Sequence, residues 1–364
     1  MVNLWIDALT PKQALFTEAL VRRAPSKVKC TVSTRDYSEL NKLLSQRGLD
    51  HSSIGRHGGG LLLDKLKSSI ERQRELVEFV TGRDFDLSFS FISPEAARVS
   101  FGLGINHYIA SDSPHSNAAA RLAVPLSAGV FTPFVIPKER WTGYGVSSGQ
   151  IFSYRALDPW AWLIDSPIFL GRRNKYGSNR AGRVIIRLEE WFASYFKQGM
   201  GVSEMLRKLV EAIRSSGDYT ILILPRYDDQ RAWAREKFGS VCDVPSSTVD
   251  ATLELSRADL LVGGGATMTQ EAALLGIPNI SYFPSARLDV FYNYYFPKKL
   301  SIQATGPDDL LKKTKGILKD IDRQRVEFDE RARRETKSFE DPVKCIFREM
   351  LSLHGEKKKR KASK

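Results

Sequence analysis

The first half of the chain alternates short apolar segments with amphipathic ones. Between residues 11 and 23, for example, apolar side chains such as Leu15 and Ala19 fall on one helical face. The pattern predicts strands at 2–6, 28–33, 86–91, 107–110 and 129–132. It predicts helices at 11–23, 37–46, 64–80, 94–102 and 117–125. Because strands and helices alternate, we expect a parallel sheet with helices on both faces.

Turn-forming residues interrupt this alternation between 136 and 183, where proline, glycine and serine recur. A second series follows, with predicted strands at 184–187, 220–224, 259–263 and 279–282. Its predicted helices are 201–215, 230–238, 268–275, 308–319, 322–337 and 342–353. We therefore expect an α/β protein of two doubly wound, Rossmann-like domains facing a cleft, with C-terminal helices. The predicted divisions are a first domain at 1–150, a linker at 151–182, a second domain at 183–353 and a disordered basic tail at 354–364.

The composition fits two folded domains in a chain of 364 residues. Hydrophobic residues make up 42% and charged residues 27%, which excludes a chain that is disordered throughout. Three scattered cysteines exclude a disulfide-stabilised scaffold. The sequence has no apolar run of about 18 residues and opens without a signal-peptide pattern. We expect a cytoplasmic protein, and peripheral contact with the inner membrane surface stays open.

The net charge of +13 is concentrated in two segments. The last eight residues contribute +6 and residues 171–183 contribute +5, which leaves +2 for the rest of the chain. A basic tail such as 357–364 could contact RNA or anionic membrane lipids weakly. A solvated end without a specific partner is the plainer interpretation of such a run. A non-catalytic scaffold or RNA-associated protein is therefore one hypothesis for the whole chain.

A glycine-rich turn in the second half is the most informative segment. The apolar run 260–262 leads into Gly263-Gly264-Gly265, and a predicted helix follows. Glycines let backbone approach a ligand, and the free amides at a helix start favour an anion such as phosphate. Glu271 would lie about one turn into that helix, where its carboxylate could accept two ribose hydroxyls. The alternative is a tight turn whose glycines only relieve steric crowding.

Polar residues follow the predicted strands of the first half, at the edge where doubly wound sheets bind their ligands. Asp7 and Thr10 follow the first strand, and Lys12 lies where a helix start could meet an anionic group of the acceptor. Glu95 opens another predicted helix after the strand 86–91. Helix capping by Thr10 and a favourable helix dipole for Glu95 are the structural alternatives.

Two further segments offer acid–base chemistry. His57 precedes three glycines, which would let a loop close over a sugar while the imidazole moves a proton. Asp112 and His115 lie within four residues of each other after the strand 107–110, so they could act as an acid–base pair. Surface-loop and turn roles are the alternatives. Together with Glu95, these three residues are our candidate catalytic residues.

Two arginines end strands of the second half. Arg187 ends the strand 184–187, and Arg226 follows the strand 220–224. Arginine forms strong hydrogen bonds to phosphate, and arginines at neighbouring strand ends are costly without an anion. We expect both to bind a diphosphate. The five histidines and three cysteines show no metal-ligand spacing, so we expect no metal site and no bound cofactor.

The glycine turn, with Gln-Glu-Ala on its helix and Leu-Gly-Ile-Pro at 275–278, resembles the nucleotide-sugar site of the GT-B superfamily. It is similar to the site of non-hydrolysing UDP-N-acetylglucosamine 2-epimerases and of the N-acetylglucosaminyltransferase that makes lipid II. In those families the turn holds the diphosphate and the glutamate holds the ribose. The resemblance implies that Glu271 binds the ribose here. It implies a diphosphate site formed by Gly264, Gly265, Ala266 and Thr267.

Across its length the chain resembles the archaeal domain-of-unknown-function family 354, which is grouped with GT-B proteins. The segments that carry this resemblance are 5–16, 56–60, 93–104, 111–115, Arg187 with 193–195, and 340–343. Because they occur in both halves, the resemblance implies the GT-B fold for the whole chain.

The expected activity is that of a metal-independent glycosyltransferase. It would move a sugar from a nucleoside diphosphate sugar, with a UDP-sugar as the expected donor, to a glycan or lipid-linked acceptor. An enzyme like the UDP-N-acetylglucosamine 2-epimerases ranks second, because 225–227 replaces a Pro-x-His element and Asp112 stands for a glutamate. A homodimer is a further expectation about partners.

Overall fold

Two structural units divide the chain, and each is built on one parallel sheet. The computed structural model describes residues 1–167, 169, 182–188, 201–247, 249–282 and 290–362. Unit 1 contains Met1–Trp162 and Glu340–Lys364, and unit 2 contains Leu163–Phe339. The two parallel sheets with their many helices confirm the predicted α/β fold class.

Unit 1 contains a seven-stranded sheet. Its strands are β1 (Val2–Ala8), β2 (Val28–Asp36), β3 (Ser52–Arg56), β4 (Leu87–Ser90), β5 (Asn106–Ala110), β6 (Gly129–Pro133) and β7 (Ile151–Tyr154). Its first helices are α1 (Pro11–Arg22), α2 (Ser38–Gln46), α3 (Leu62–Val80), α4 (Pro94–Gly102), α5 (Asn117–Ala123) and α6 (Glu139–Thr142), and α7 (Trp160–Leu163) lies at the boundary with unit 2. The strand order is β3-β2-β1-β4-β5-β6-β7, with β1 near the centre.

Side-chain caps begin two helices of unit 1. The Thr10 hydroxyl accepts a hydrogen bond from the Gln13 amide at the start of α1, and Ser93 accepts one from the Ala96 amide at the start of α4. A proline follows each cap, in the position where a missing N–H costs nothing. The caps explain why both helices begin just after β1 and β4, at the carboxyl edge of the sheet. Thr10 therefore has the capping role that the sequence analysis named as its structural alternative.

Helix α3 packs against the sheet through one buried face. Leu76 and Val80 of α3 join Trp5 of β1 in an apolar cluster. Trp5 is fully buried, and its indole N–H donates to the Ser33 hydroxyl at 2.7 Å. Because Arg72 lies one turn before Leu76 on the same face, this packing also places a guanidinium beside the ends of β1 and β2.

Unit 2 contains a five-stranded parallel sheet. Its strands are β8 (Gly182–Arg187), β9 (Tyr219–Leu224), β10 (Leu260–Gly263), β11 (Asn279–Ser281) and β12 (Ile302–Gln303), in the order β12-β11-β10-β8-β9. Its helices are α8 (Val202–Arg214), α9 (Asp228–Phe238), α10 (Ala251–Leu255), α11 (Ala266–Leu274), a π-helical turn (Phe291–Tyr295), α12 (Pro307–Lys319) and α13 (Ile321–Thr336). In this register Arg187 lies opposite both Gly263 and Leu224.

Three described strands were not predicted from the pattern. β3 has one buried residue among five, so it lacks the apolar run of a central strand. β12 has only two residues. β7 lies at the edge of the unit 1 sheet, within the segment predicted as a linker from 151 to 182. β3 and β12 contain too few apolar residues to form a pattern, and β7 is a four-residue strand directly after the turn-forming residues 143–149.

The end of the chain differs from the predicted division. Helix α14 (Pro342–Ala362) belongs to unit 1, whereas the sequence placed residues up to 353 in the second domain. An ion pair of 2.8 Å joins Arg23 to Asp341, and the Glu340 carboxylate accepts the Arg155 amide. The helix continues to Ala362, so the predicted disordered tail is helical over most of its length. Residues 171–181 and 193–195, which carried predictions, lie outside the described residues.

Candidate functional site

The glycine turn of unit 2 joins β10 to α11. Gly265 is the N-cap residue of α11, so the residue at this position has no side chain with which to cap the helix. The first amides of a helix have no partner within the helix, so they are available to a ligand. Gly264 donates its N–H to the Arg187 carbonyl at 3.0 Å, and the Tyr282 hydroxyl donates to the same carbonyl at 2.6 Å. These bonds fix the turn against the ends of the neighbouring strands.

The Arg187 side chain lies beside this helix start. A Cβ atom on Gly265 would lie 3.5 Å from Arg187 Cγ, which is an ordinary van der Waals distance, so the Arg187 side chain packs against this residue. Arg187 Nη1 donates to the Pro225 carbonyl at 2.6 Å, which orients the guanidinium. A cation beside a helix N-terminus is electrostatically unfavourable, and an anion bound between them would reverse the sign of this interaction.

Glu271 lies inside unit 2, on α11. Its side chain is buried, and Oε1 accepts a hydrogen bond from the Thr252 hydroxyl at 2.7 Å. Thr252 belongs to the short helix α10, which Asp250 caps through two backbone amides. A favourable helix dipole would need only an exposed carboxylate near the helix start, whereas the Glu271 carboxylate is buried and has a hydroxyl partner. Ribose binding by Glu271 stays a prediction.

Arg226 follows β9 at the same carboxyl edge as Arg187. Its backbone N–H donates to Gln230 Oε1 at 2.6 Å, which ties the strand end to α9. Its guanidinium lies 5.9 Å from the centre of the Tyr227 ring. Both predicted phosphate-binding arginines therefore end adjacent strands of one sheet.

Asp7 forms a buried ion pair in unit 1. It lies near the end of β1, and Arg72 Nη2 approaches its Oδ1 to 2.6 Å, with both side chains almost fully buried. Ser33 also donates its hydroxyl to Oδ1 at 2.6 Å. Burial alone would raise the pKa of Asp7, but the charge and hydrogen bonds of Arg72 hold this pKa below its ordinary value.

Glu95 lies in the same cluster around Arg72. Glu95 Oε2 is 3.7 Å from Arg72 Nη1, and Oε1 accepts the Ser69 hydroxyl at 2.6 Å. The guanidinium therefore lies between two carboxylates from the ends of β1 and β4. The fold brings two of the predicted site residues, Asp7 and Glu95, to one cation that the sequence analysis did not single out.

Lys12 lies between two carboxylates in a second charged cluster of unit 1. Its Nζ is 2.6 Å from Asp112 Oδ2 and 2.7 Å from Asp158 Oδ2. The Tyr154 hydroxyl donates to the other oxygen of Asp158. Burial, and then the charge of Asp112, raise the pKa of Asp158. Two buried carboxylates that share one ammonium favour the uptake of a proton, which is a property of acid–base sites.

The two predicted histidines follow different strands of unit 1. His57 follows β3, and its Nδ1 accepts the Gly59 amide at 3.1 Å. Burial lowers the pKa of His57, and the charges of Arg35 and Lys65 lower it further. His115 is half-buried in the segment after β5, where the neighbouring Pro114 carbonyl accepts the Tyr144 hydroxyl at 2.7 Å. His115 lies in the same segment as Asp112, whereas His57 follows a different strand.

The family model described as "Protein of unknown function (DUF354)" matches residues 2–352. The chain belongs to the DUF354 family. An uncharacterized protein of Methanocaldococcus jannaschii is 27% identical over 300 residues, which are 80% of this chain and 85% of that protein. This archaeal relative agrees with the resemblance found in the sequence.

Solved structures of other proteins share the fold of this DUF354 protein. The UDP-GlcNAc 2-epimerase from Neisseria meningitidis, bound to UDP-GlcNAc, has a TM-score of 0.70 at 12% identity and covers 96% of this chain and 100% of its own. The spinosyn forosaminyltransferase SpnP has a TM-score of 0.61 at 14% identity, with 98% and 99% covered. These likenesses show the GT-B fold.

Three charged residues of the DUF354 protein were missed in the sequence analysis. Arg72 had a signal, because it continues the apolar stripe of Leu76 and Val80 at four-residue spacing. Asp158 follows β7, which the pattern did not predict. Arg35 lies in β2, where no motif singles it out.

The described parts of the DUF354 protein contain neither a metal-ligand cluster nor a membrane-spanning helix. Within them, no group of three or more histidine, cysteine, aspartate or glutamate side chains could hold a metal ion. The helices of the same parts include none that is long and apolar enough to cross a bilayer.

Proposed function

We propose that this DUF354 protein is a metal-independent glycosyltransferase that uses a nucleoside diphosphate sugar. The observation that carries the proposal is the position of Arg187 beside the start of α11, where the N-cap residue is a glycine. A cation and free amides that converge on one point suit a diphosphate. The likeness in fold to a protein solved with UDP-GlcNAc supports a UDP-sugar as the donor.

Unit 2 would bind the donor. The amides from Gly265 to Thr267 and the guanidinium of Arg187 would hold the diphosphate, with Arg226 from the adjacent strand end. Gly264, predicted to belong to this set, would act by fixing the turn, because its N–H is donated to the Arg187 carbonyl. Glu271 would hold the ribose. As the bond to the sugar breaks, negative charge grows on the leaving diphosphate, and fixed amides and arginines stabilise that charge without a metal ion.

Unit 1 would supply the acid–base chemistry. Asp112 is the proposed base that takes a proton from the acceptor hydroxyl, with His115 in the same segment. Lys12 keeps Asp112 in place through the 2.6 Å ion pair, and Asp158 shares that ammonium. The acceptor would be a glycan or a lipid-linked sugar. Glu95 and His57 remain candidates for further catalytic contacts in this unit.

Epimerisation at C2 of a UDP-sugar is the second candidate. It is favoured by the likeness in fold to the Neisseria meningitidis epimerase, whose TM-score of 0.70 exceeds the 0.61 of the transferase SpnP. Two carboxylates on one lysine also suit the removal and return of a proton. The two candidates differ in a testable way, because an epimerase changes its sugar nucleotide without an acceptor.

The first experiment is a thermal-shift panel of nucleoside diphosphates and their sugars, followed by product analysis of every ligand that binds. A ligand at 100 times its dissociation constant stabilises a protein by about 2.7 kcal/mol, which such a panel detects. A new epimer without acceptor supports epimerisation, whereas sugar transfer only with acceptor supports the transferase. If no sugar nucleotide stabilises the protein, the proposal is wrong.

Asp112→Asn separates chemistry from donor binding. We expect turnover to fall by about 100-fold or more, since a general base contributes on this scale, with nearly unchanged donor affinity. Asp50→Asn, at an exposed aspartate of the same unit, is the matched control and should leave both unchanged. Loss of donor affinity in folded Asp112→Asn would contradict this division of roles.

A further inference from the structure

Arg35 lies at an irregular point of the unit 1 sheet. It belongs to β2, and the register between β2 and β3 shifts around it: Thr34 pairs with Ser53, whereas Asp36 pairs with Arg56. Such irregularities redirect side chains and often occur beside ligand sites. The position is also at the carboxyl edge of a parallel sheet, where doubly wound folds bind their ligands.

The charge of Arg35 is poorly compensated by the described part of the chain. Its Nε is buried and has no hydrogen-bond partner there. The two carboxylates whose charges act on Arg35, Glu95 and Asp7, are engaged by Arg72. Burial, and then the like charge of Arg72, lower the pKa of Arg35 despite the two carboxylates and Tyr37. The surroundings of Arg35 therefore disfavour its charge unless an anion is added.

The Tyr37 ring lies near both Arg35 and His57. The guanidinium is 6.0 Å from the centre of the Tyr37 ring, and the His57 ring is 5.7 Å from the same ring. The loop that carries His57 packs tightly on α3, because a Cβ atom on Gly58 would lie 2.6 Å from Lys65 Cα. The charges of Arg35 and Lys65 both act on His57. Two cations thus act on one imidazole, and both disfavour its protonation.

We propose that Arg35, His57 and Lys65 form a binding site for an anionic group of the second substrate, either a phosphoryl group or a carboxylate. Naming the ligand as part of the sugar acceptor rests on the proposed function, whereas the anion site itself does not. An arginine side chain can hold either group through two parallel hydrogen bonds, and a protonated His57 would add a third donor. The mutual repulsion in the free protein then becomes attraction for the ligand.

The test follows the His57 imidazole by NMR with histidine-labelled protein and no nucleotide. The His57 signal is identified by its loss in His57→Gln, and the pKa of His57 is measured with inorganic phosphate, with acetate and with neither. We expect at least one anion to raise this pKa, because a bound negative charge stabilises the imidazolium. A response to phosphate assigns a phosphoryl ligand, and a response to acetate assigns a carboxylate.

In Arg35→Gln, the anion concentration needed for the same rise in the His57 pKa should be about tenfold higher or more. On its own this substitution should also raise the pKa of His57, since a like charge is removed. Lys65→Gln should also weaken the response, but less than Arg35→Gln does. Because Lys65 is exposed, this second variant should fold even if Arg35→Gln does not. Lys67→Gln is the matched control, two residues along α3, and should respond like the parent protein.

A His57 pKa that neither anion changes would overturn the proposal. So would an Arg35→Gln protein that responds like the parent, because the anion would then lie elsewhere. Since no nucleotide is present, the absence of sugar-nucleotide binding in the thermal-shift panel leaves this result intact. The two proposals therefore fail separately.

Discussion

At the residue scale, His107 shows how burial sets the protonation of a side chain. It lies in β5, fully buried, with Ser88 and Ser90 hydroxyls 2.8 and 2.9 Å from its two ring nitrogens. Burial lowers its pKa from 6.5 to about 3. The imidazole is therefore neutral in the folded protein at pH values where the unfolded chain binds a proton.

This histidine predicts a pH dependence of stability. Between pH 6.5 and about 3 the unfolded state binds the extra proton, so the stability that His107 contributes is lost as the pH falls. The loss is about 1.4 kcal/mol per pH unit. His107→Gln should flatten the acid side of the curve of unfolding free energy against pH, measured with urea. An unchanged slope in this variant would show that His107 is not held neutral.

At the element scale, one ion pair connects α3 to the sheet of unit 1. Arg72 approaches Asp7 with almost no exposure of either side chain, and its Nε donates to the Ile54 carbonyl at 3.0 Å. Removing one member of a buried pair leaves a charge without compensation. The pair therefore fixes where α3 lies on β1 and β3.

Arg72→Met should lower the free energy of unfolding by about 3–5 kcal/mol, because it leaves Asp7 buried and charged. Adding Asp7→Asn to this variant should recover part of the loss, since the buried charge is then removed. Arg74→Met is the matched control on the same helix, and its exposed pairs with Glu71 and Glu78 should matter little. Equal losses for Arg72→Met and Arg74→Met would contradict this account.

The same elements show what the sequence could and could not predict. β10 and α11 were predictable because an apolar run ends in glycines and a buried helix follows. β7 was not, because its four residues directly follow the turn-forming residues 143–149, and without β7 the position of Asp158 beside Lys12 had no basis. The pairing of Lys12 with Asp112 and Asp158 depends on contacts more than 90 residues apart, which local patterns do not encode.

At the scale of the whole molecule, the basic end of the chain and the proposed donor site belong to different units. The last eight residues carry six positive charges, so their removal lowers the net charge from +13 to +7. Weak RNA or anionic-lipid binding, if it resides there, should fall steeply with salt. The donor site should not depend on it.

A chain truncated after residue 356 tests this separation. We expect its affinity for UDP to equal that of the full chain, whereas salt-sensitive binding of labelled RNA, followed by fluorescence anisotropy, should disappear. Reduced UDP affinity in a truncated chain with a normal melting temperature would contradict the assignment of donor binding to unit 2. RNA binding that persists after truncation would place that contact elsewhere.

We propose that unit 2 binds a nucleoside diphosphate through the glycine turn and Glu271. Isothermal calorimetry with UDP, or with the best ligand of the panel, on the parent protein, Glu271→Gln and the exposed control Glu236→Gln tests it most directly. Glu271→Gln keeps an oxygen acceptor for Thr252 but removes the charged acceptor for ribose. We predict a near-normal melting temperature, affinity weaker by about tenfold or more, and an unchanged control. Equal affinity in the Glu271→Gln and parent proteins would contradict the claim.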